Sequence, residues 1–420
     1  MANWFKEYRG LRKEFYLLLL GRIVSSMGAL VFSMLALILK NKLGFSPSGV
    51  ADVLMYASWV YIPGTLIAGQ LADRYNKKNL IMIFSLLNAT CETICAFIPL
   101  SIVTIGFHIS GSLFALMQWP CYDALFADLS KTADRDRVYS LNYLGNNLGG
   151  IITPIIGGLL FKDHLALSFL ITAISALLST CLLFFFVKDI SKEKEDWSLP
   201  SYQQENPSLR SLSDVFRANK LLFFYLFCLI IVDVVYSQFM FLLPLNLEQS
   251  FGEQGATYYG FLMSLNSLTV ALGTALLTGV LKHYVDIKKV IIGQFLIVGS
   301  LTAFIFTQDW LPGFFIMSFV FTLGEICSSL GQKPYLTKRV PASYRGRLIS
   351  LSLISVRLFL GPFNKLIGWL MHSYSVITAW SVTGLVGVIG IISYLILTVY
   401  DARRYPFLHR SQEIIAPKDC

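Results

Sequence analysis

Apolar runs long enough to cross a bilayer, parted by short charged gaps, make up most of the chain. A spanning helix needs roughly 20 predominantly apolar residues. Twelve segments meet that need, near residues 15–39, 47–71, 79–99, 103–127, 138–161, 166–187, 221–247, 256–281, 289–307, 311–337, 346–370 and 375–399. None alternates as a barrel strand does, which predicts an all-α membrane protein of twelve transmembrane helices and not a β-barrel. The first segment is too long for a secretory signal, carries Arg22 and lacks a small-residue cleavage site. One long polar stretch, 188–220, interrupts the pattern midway. It predicts six-helix bundles at 1–187 and 221–400, a cytoplasmic linker between them and a tail at 401–420. Within the linker, Leu209, Leu212, Val215 and Phe216 fall at helical spacing, as in a helix lying on a membrane surface; a disordered linker is the alternative.

Composition adds the solvent. Of 420 residues 55% are hydrophobic and 14% charged, with mean hydropathy +0.62. A soluble domain carries about 25% charge, so lipid must cover what polar groups here cannot. The formal net charge is +9, and its placement matters more than its size. Lys and Arg crowd alternate gaps, as at Arg74, Lys77 and Lys78 or between 338 and 347, while the opposite gaps hold only Lys40, Lys42 and Lys162. The positive-inside rule then places both termini in the cytoplasm of a multi-pass protein of the inner or plasma membrane. The basic excess is topological, and no nucleic-acid partner is expected. Seven Cys without paired spacing predict neither a disulfide framework nor a metal site. The chain has no Gly-x-x-x-x-Gly-Lys-Ser/Thr, His-Glu-x-x-His or Gly-x-Ser-x-Gly string, which argues against an enzyme and against ATP drive within it.

The two halves echo each other at a fixed offset. Arg135, Arg137, Ser140, Leu141 and Gly158 recur as Arg345, Arg347, Ser350, Leu351 and Gly368, and Gly69 recurs as Gly279. Shared spacing at equivalent helix positions points to a six-plus-six duplication. Parallel halves of this kind set a substrate cavity between them, near the midplane.

Residues 69–78 read Gly-Gln-Leu-Ala-Asp-Arg-Tyr-Asn-Lys-Lys. This resembles the loop between helices two and three of the major facilitator superfamily. Gly69, Leu71, Ala72, Asp73, Arg74 and Lys78 match outright; Asn76 replaces the usual Gly and is expected to hold a left-handed turn. The resemblance implies a cytoplasmic gate of Gly69, Asp73, Arg74, Asp128, Arg135 and Arg345. In it Asp73 faces the N-terminal end of segment eleven, near Arg345, where a helix dipole favours a carboxylate. Segment five carries Gly145, Gly149, Gly150, Pro154, Gly157 and Gly158. That run is similar to a motif of the family's exporters, with Thr153 in place of a Gly, and implies outward antiport; close helix packing accounts for the glycines equally.

Ionisable residues inside a span are functional candidates by default. Glu325, within Thr322-Leu-Gly-Glu-Ile326, resembles the helix-ten glutamate of the twelve-helix drug–proton antiporters, which implies proton coupling there. Asp233 in segment seven is the second candidate. Those relatives carry further acidic residues where this chain has Asn142 and Met240, so coupling must use other groups. Arg22, Glu92, Tyr236, Gln238 and Arg357 complete the expected substrate cavity. Arg22 either snorkels to the inner face or meets an anion; Glu92 either lines the cavity or pairs with a neighbour. Asp123 and Lys333 lie near inner ends of their segments. The five His (108, 164, 283, 372 and 409) read as lying at segment ends or in loops.

These features predict a secondary active transporter working by alternating access. The leading expectation is proton-coupled export of a small organic or amphiphilic molecule. The alternative is proton-coupled symport of a specific anionic or zwitterionic metabolite, which Arg22 and Arg357 would suit. The expected partners are the substrate, protons and the lipid bilayer. No cofactor is expected beyond the proton gradient, no metal, and a monomer.

Overall fold

A computed structural model describes residues 13–129, 135–187, 216–217, 219–340 and 342–409. Each of the twelve apolar segments lies on helix, and the described residues contain no strand. The helices are α1 (Lys13–Ser26), α2 (Leu30–Leu37), α3 (Pro47–Arg74), α4 (Lys77–Phe97), α5 (Ile102–Leu129), α6 (Arg135–Leu160), α7 (Leu165–Phe186) and α8 (Lys220–Tyr236). They continue with α9 (Gln238–Phe251), α10 (Gly255–Leu281), α11 (Asp286–Ala303), α12 (Leu311–Thr337), α13 (Ala342–Ser373), α14 (Val376–Arg404) and the short α15 (Pro406–His409).

Among the described residues ten helical runs are long and apolar enough to cross a membrane. One of them extends over 62 residues, Lys220–Leu281. At about 1.5 Å per residue it would reach roughly three times the hydrocarbon thickness, so it must reverse. It does so at the 3₁₀ turn Gly252–Gln254, where Gly252 takes φ +57 without a Cβ clash. Within α6, Asn147–Leu160 is a shorter apolar helical run.

Two expected spans are broken. Segment one is interrupted at Met27–Ala29, between α1 and α2, and then winds as a π-helix over Ile38–Lys42. Segment seven breaks at Ser237. One carbonyl at the second break is met by two side chains: Ser237 Oγ and Gln238 Nε2 both donate to Val234 O, at 2.7 and 3.0 Å. In a medium without water such pairing is what makes a break tolerable.

The turn between α3 and α4 differs from the expectation. Asn76 is not left-handed; it has φ −63 and ψ 115 and is the N-cap of α4, its side-chain oxygen accepting from Asn79 N at 3.2 Å. An Asn offers its own acceptor to a helix start, a role the glycine it replaces cannot fill.

The chain forms two compact units. Unit 1 comprises 1–46, 56–199 and 247–268; unit 2 comprises 47–55, 200–246 and 269–420. In unit 1 the glycines of α6 work on two faces. A Cβ on Gly145 or Gly149 would run into Leu19 or Ser26 of α1, and one on Gly157 would meet Leu30 O of α2 at 3.1 Å. On the other face a Cβ on Gly158 would sit 2.7 Å from Ala256 O and 3.0 Å from Thr257 Cα of α10. Pro154 lies on that face too, against Gly260. The echo residue Gly368 repeats the contact in unit 2: its Cβ would lie 2.6 Å from Pro47 O of α3. By contrast Gly69 and its echo Gly279 face open space. Gly158→Ala is therefore expected to lower stability by about 1–3 kcal/mol, since backbone atoms must yield. Gly279→Ala is expected to raise it by about 0.5 kcal/mol through helix propensity. Thermal unfolding of the two purified variants in detergent checks both signs.

The three cations of the sparsely charged gaps gather in unit 1. Lys40 pairs with Glu248, Lys162 with Glu253 at 2.6 Å, and Lys42 Nζ donates to Lys162 O at 2.7 Å. The hydrogen bond from Lys162 holds the Glu253 carboxyl below its ordinary range and raises Lys162. Both side chains are exposed, so water and salt screen the pair.

Candidate transport site

The break of segment seven organises a polar cluster inside unit 2. Tyr236 ends α8, and its ring stacks on Phe321 of α12 with centroids 5.3 Å apart. Phe239, on the far side of the break, stacks on the same Phe321 at 4.0 Å and 5°. Phe321 and Glu325 are one helical turn apart and share a face of α12. Stacking on the first therefore carries the Tyr236 hydroxyl to the second, where it donates to Glu325 Oε1 at 2.9 Å. Gln238, fully buried at the start of α9, donates to Asn364 Oδ1 of α13 at 2.7 Å. Three of the expected site residues, Tyr236, Gln238 and Glu325, thus meet around one helix break.

Asp233 lies one turn before Tyr236 on α8, half-buried. Arg357 lies half-buried on α13, about two turns before Asn364. Met240 is largely exposed and Asn142 buried.

Unit 1 holds the other candidates. Arg22 is buried in α1 and does not snorkel; its guanidinium lies over the rings of Trp119 and Tyr122 on α5, at 4.5 and 4.9 Å. Such stacking lets a delocalised cation sit among apolar groups. Asp123 is exposed. Glu92 has a partner that the sequence reading did not single out. His108 lies near the start of α5, as expected, but it is buried, and its Nδ1 lies 2.9 Å from Glu92 Oε1. Ser112 Oγ stands 3.5 Å from its other ring nitrogen. A hairpin count points to this pair. Glu92 lies five residues before the end of α4 and His108 six after the start of α5, hence at one depth.

Of the expected gate, Gly69 is half-buried and Arg74 exposed near the end of α3. The side chains of Asp73, Asp128, Arg135 and Arg345 lie outside the described residues, as do that of Lys333 and most of the linker.

A second ionic cluster in unit 2 had no sequence signal. Arg339, after α12, binds the Asp401 carboxylate of α14 through two nitrogens, at 2.7 and 2.5 Å, with both side chains buried. Tyr335 OH donates to the same carboxylate at 3.1 Å, and His409 Nε2 lies 2.7 Å from it.

The model of the Major Facilitator Superfamily matches residues 18–363. The chain belongs to the Major Facilitator Superfamily. A Na(+), Li(+), K(+)/H(+) antiporter of Planococcus maritimus is 24% identical over 352 residues, covering 76% of this chain and 80% of that protein. The uncharacterized MFS-type transporter YqjV of Bacillus subtilis (strain 168) is 24% identical over 315 residues, 73% of each chain. Among solved structures, a mutant of the peptide transporter POT in complex with alafosfalin superposes with TM-score 0.77 at 15% identity, over 96% of this chain and 97% of that one. A bacterial homologue of the human lysosomal transporter Spinster gives TM-score 0.69 at 14% identity, over 96% and 100%. These relatives are transporters, and this superfamily member is a multi-pass membrane transporter rather than an enzyme.

Proposed function

We propose that this superfamily member is a proton-coupled antiporter that exports a small organic or amphiphilic molecule, with Glu325 as the proton carrier. The hydrogen bond from Tyr236 to Glu325 beside the Ser237 break supports this reading most strongly. A neutral phenol can donate to a carboxylate or to the carbonyl oxygen of a carboxylic acid. Glu325 can therefore gain and lose a proton without losing its anchor. Asp233, one turn back along α8, supplies a second proton site. Coupling follows when proton and substrate favour different access states of the transporter, as residues 1–187 rock against 221–400. The antiporter from Planococcus maritimus supports exchange with protons at the level of a distant relative. The protein works as a monomer in the plasma membrane with both termini cytoplasmic, needs no cofactor, and the proton gradient supplies its energy. Gly69, Asp73, Arg74, Asp128, Arg135 and Arg345 form its cytoplasmic gate, and the charge at Arg74 and Lys77 supports that orientation.

The alternative, symport of an anionic or zwitterionic metabolite, is favoured by one observation, the burial of Arg22 in a helix interior. Everted vesicles with an acidified lumen and a pH-sensitive dye separate the readings. Ethidium, lithium, sodium, potassium or a dipeptide is added singly. Antiport predicts that a transported probe drives protons out of the lumen as it enters. Protons entering the lumen together with the probe would mark symport and overturn the proposal.

A further inference from the structure

We infer that unit 1 contains a binding site for one compact monovalent cation, an alkali ion or a small protonated amine, at Glu92. The inference stands on unit 1 alone and apart from the proton chemistry proposed for Glu325.

A cavity of about 150 Å³ lies beside the Glu92–His108 pair. Its wall includes Ser25 and Gly28 at the break between α1 and α2, Asn88 and Glu92 of α4, and His108 and Trp119 of α5. The break is pinned open: Thr172 of α7 donates to Gly28 O, and a Cβ on Gly28 would lie 2.9 Å from Ser175 Cβ. Room for the acidic side comes from Gly111 of α5. A Cβ there would meet Glu92 Oε1 at 3.0 Å and Asn88 Oδ1 at 3.2 Å, so both oxygens occupy the place a side chain would take.

Glu92 is 1% exposed, and only one of its oxygens is satisfied. Oε2 is buried without a hydrogen-bond partner. A buried carboxylate oxygen left alone is costly, and His108 reaches only Oε1, so Oε2 stays without a donor. Protonating Oε2 would remove the charge but leave an O–H with no acceptor. A bound cation answers both demands at once. With His108 as the neutral imidazole, the one carboxylate of the wall balances one positive charge, and a divalent ion would leave an excess. Transition-metal coordination has no support, since no group of three or more His, Cys, Asp or Glu among the described residues could hold such an ion. A water molecule's share of liquid volume is about 30 Å³, so the cavity has room for an alkali ion with a few waters or for a small ammonium.

The test uses purified full-length protein at constant ionic strength, with N-methyl-D-glucamine chloride as the bulky reference salt. Thermal unfolding is followed as lithium, sodium, potassium or methylammonium chloride replaces it. The expected result is a saturable rise in midpoint with at least one of these cations. The alkali and methylammonium arms tell which kind the site takes. Glu92→Gln is expected to weaken that response roughly thirtyfold or more, while Glu325→Gln keeps it. Should Glu92→Gln fail to fold, a carbodiimide that labels buried carboxyls replaces it. In wild-type protein the same cation must slow labelling at Glu92, read by peptide mass. No saturable rise with any cation, a rise unchanged in Glu92→Gln, or labelling of Glu92 indifferent to the cation overturns the inference. Loss of proton exchange in vesicles with cation binding intact would instead count against the proposed function alone.

Discussion

Replacing Glu325 by Gln is expected to lower gradient-driven transport sharply while leaving substrate-for-substrate exchange intact. The side chains are nearly the same shape. Gln keeps a carbonyl oxygen at the position that accepts from Tyr236 at 2.9 Å, so the stack of Tyr236 and Phe239 on Phe321 need not move. What Gln lacks is an exchangeable proton. Coupling free energies of about 1–3 kcal/mol correspond to roughly 5- to 150-fold effects, and the pH-dependent part of transport should fall by that factor. Uptake into vesicles with and without an imposed pH gradient, at matched protein content, measures it. A Gln variant that still accumulates substrate against a gradient would show that the proton travels elsewhere.

Asp401→Asn is expected to be the most destabilising single polar substitution in unit 2. Its carboxylate takes two nitrogens of Arg339, the Tyr335 hydroxyl and His409. The variant would leave the Arg339 guanidinium, itself 1% exposed, without its counter-charge. Breaking one side of a buried ion pair costs about 3–5 kcal/mol. The Tyr335 ring, 3.8 Å from the guanidinium, returns only part of that. Removing both charges together, as in Arg339→Met with Asp401→Leu, should cost far less, because no charge is then stranded. Thermal unfolding in detergent distinguishes the two. A loss below about 1 kcal/mol for Asp401→Asn, the range of an exposed pair, would contradict this reading of the cluster.

Helix positions and membrane class were legible in the sequence because they depend on local composition. Segment two was expected at 47–71 and runs Pro47–Arg74; segment twelve was expected at 375–399 and runs Val376–Arg404. The repeat was legible too, since Gly158 and Gly368 face equivalent backbone contacts. Partnerships across helices were not. Nothing in the chain aligns Tyr335, Arg339, Asp401 and His409; that register follows from α11, which packs against both α12 and α14. The break at Ser237 escaped because its repair is made by Ser237 and Gln238 side chains, which in a helical pattern read as ordinary polar residues. The break at Met27–Ala29 escaped likewise: Gly28 in an apolar run signals close packing as readily as an interruption. His108 was within reach, because α4 and α5 form a tight hairpin and a buried acid at Glu92 demands a partner at its own depth. Of the helix-five motif, the structure gives the packing of its glycines on two faces, and their bearing on direction belongs to the proposal.

The proposed chemistry stands or falls with the proton held at Glu325, and the protons displaced by substrate measure it most directly. Purified protein in weakly buffered detergent is titrated with whichever of the vesicle probes elicits proton exchange, and released protons are counted with a soluble pH dye. Wild-type protein should release protons in proportion to the probe bound, and Glu325→Gln should bind the probe with that release lost. Equal release from both proteins would contradict the account.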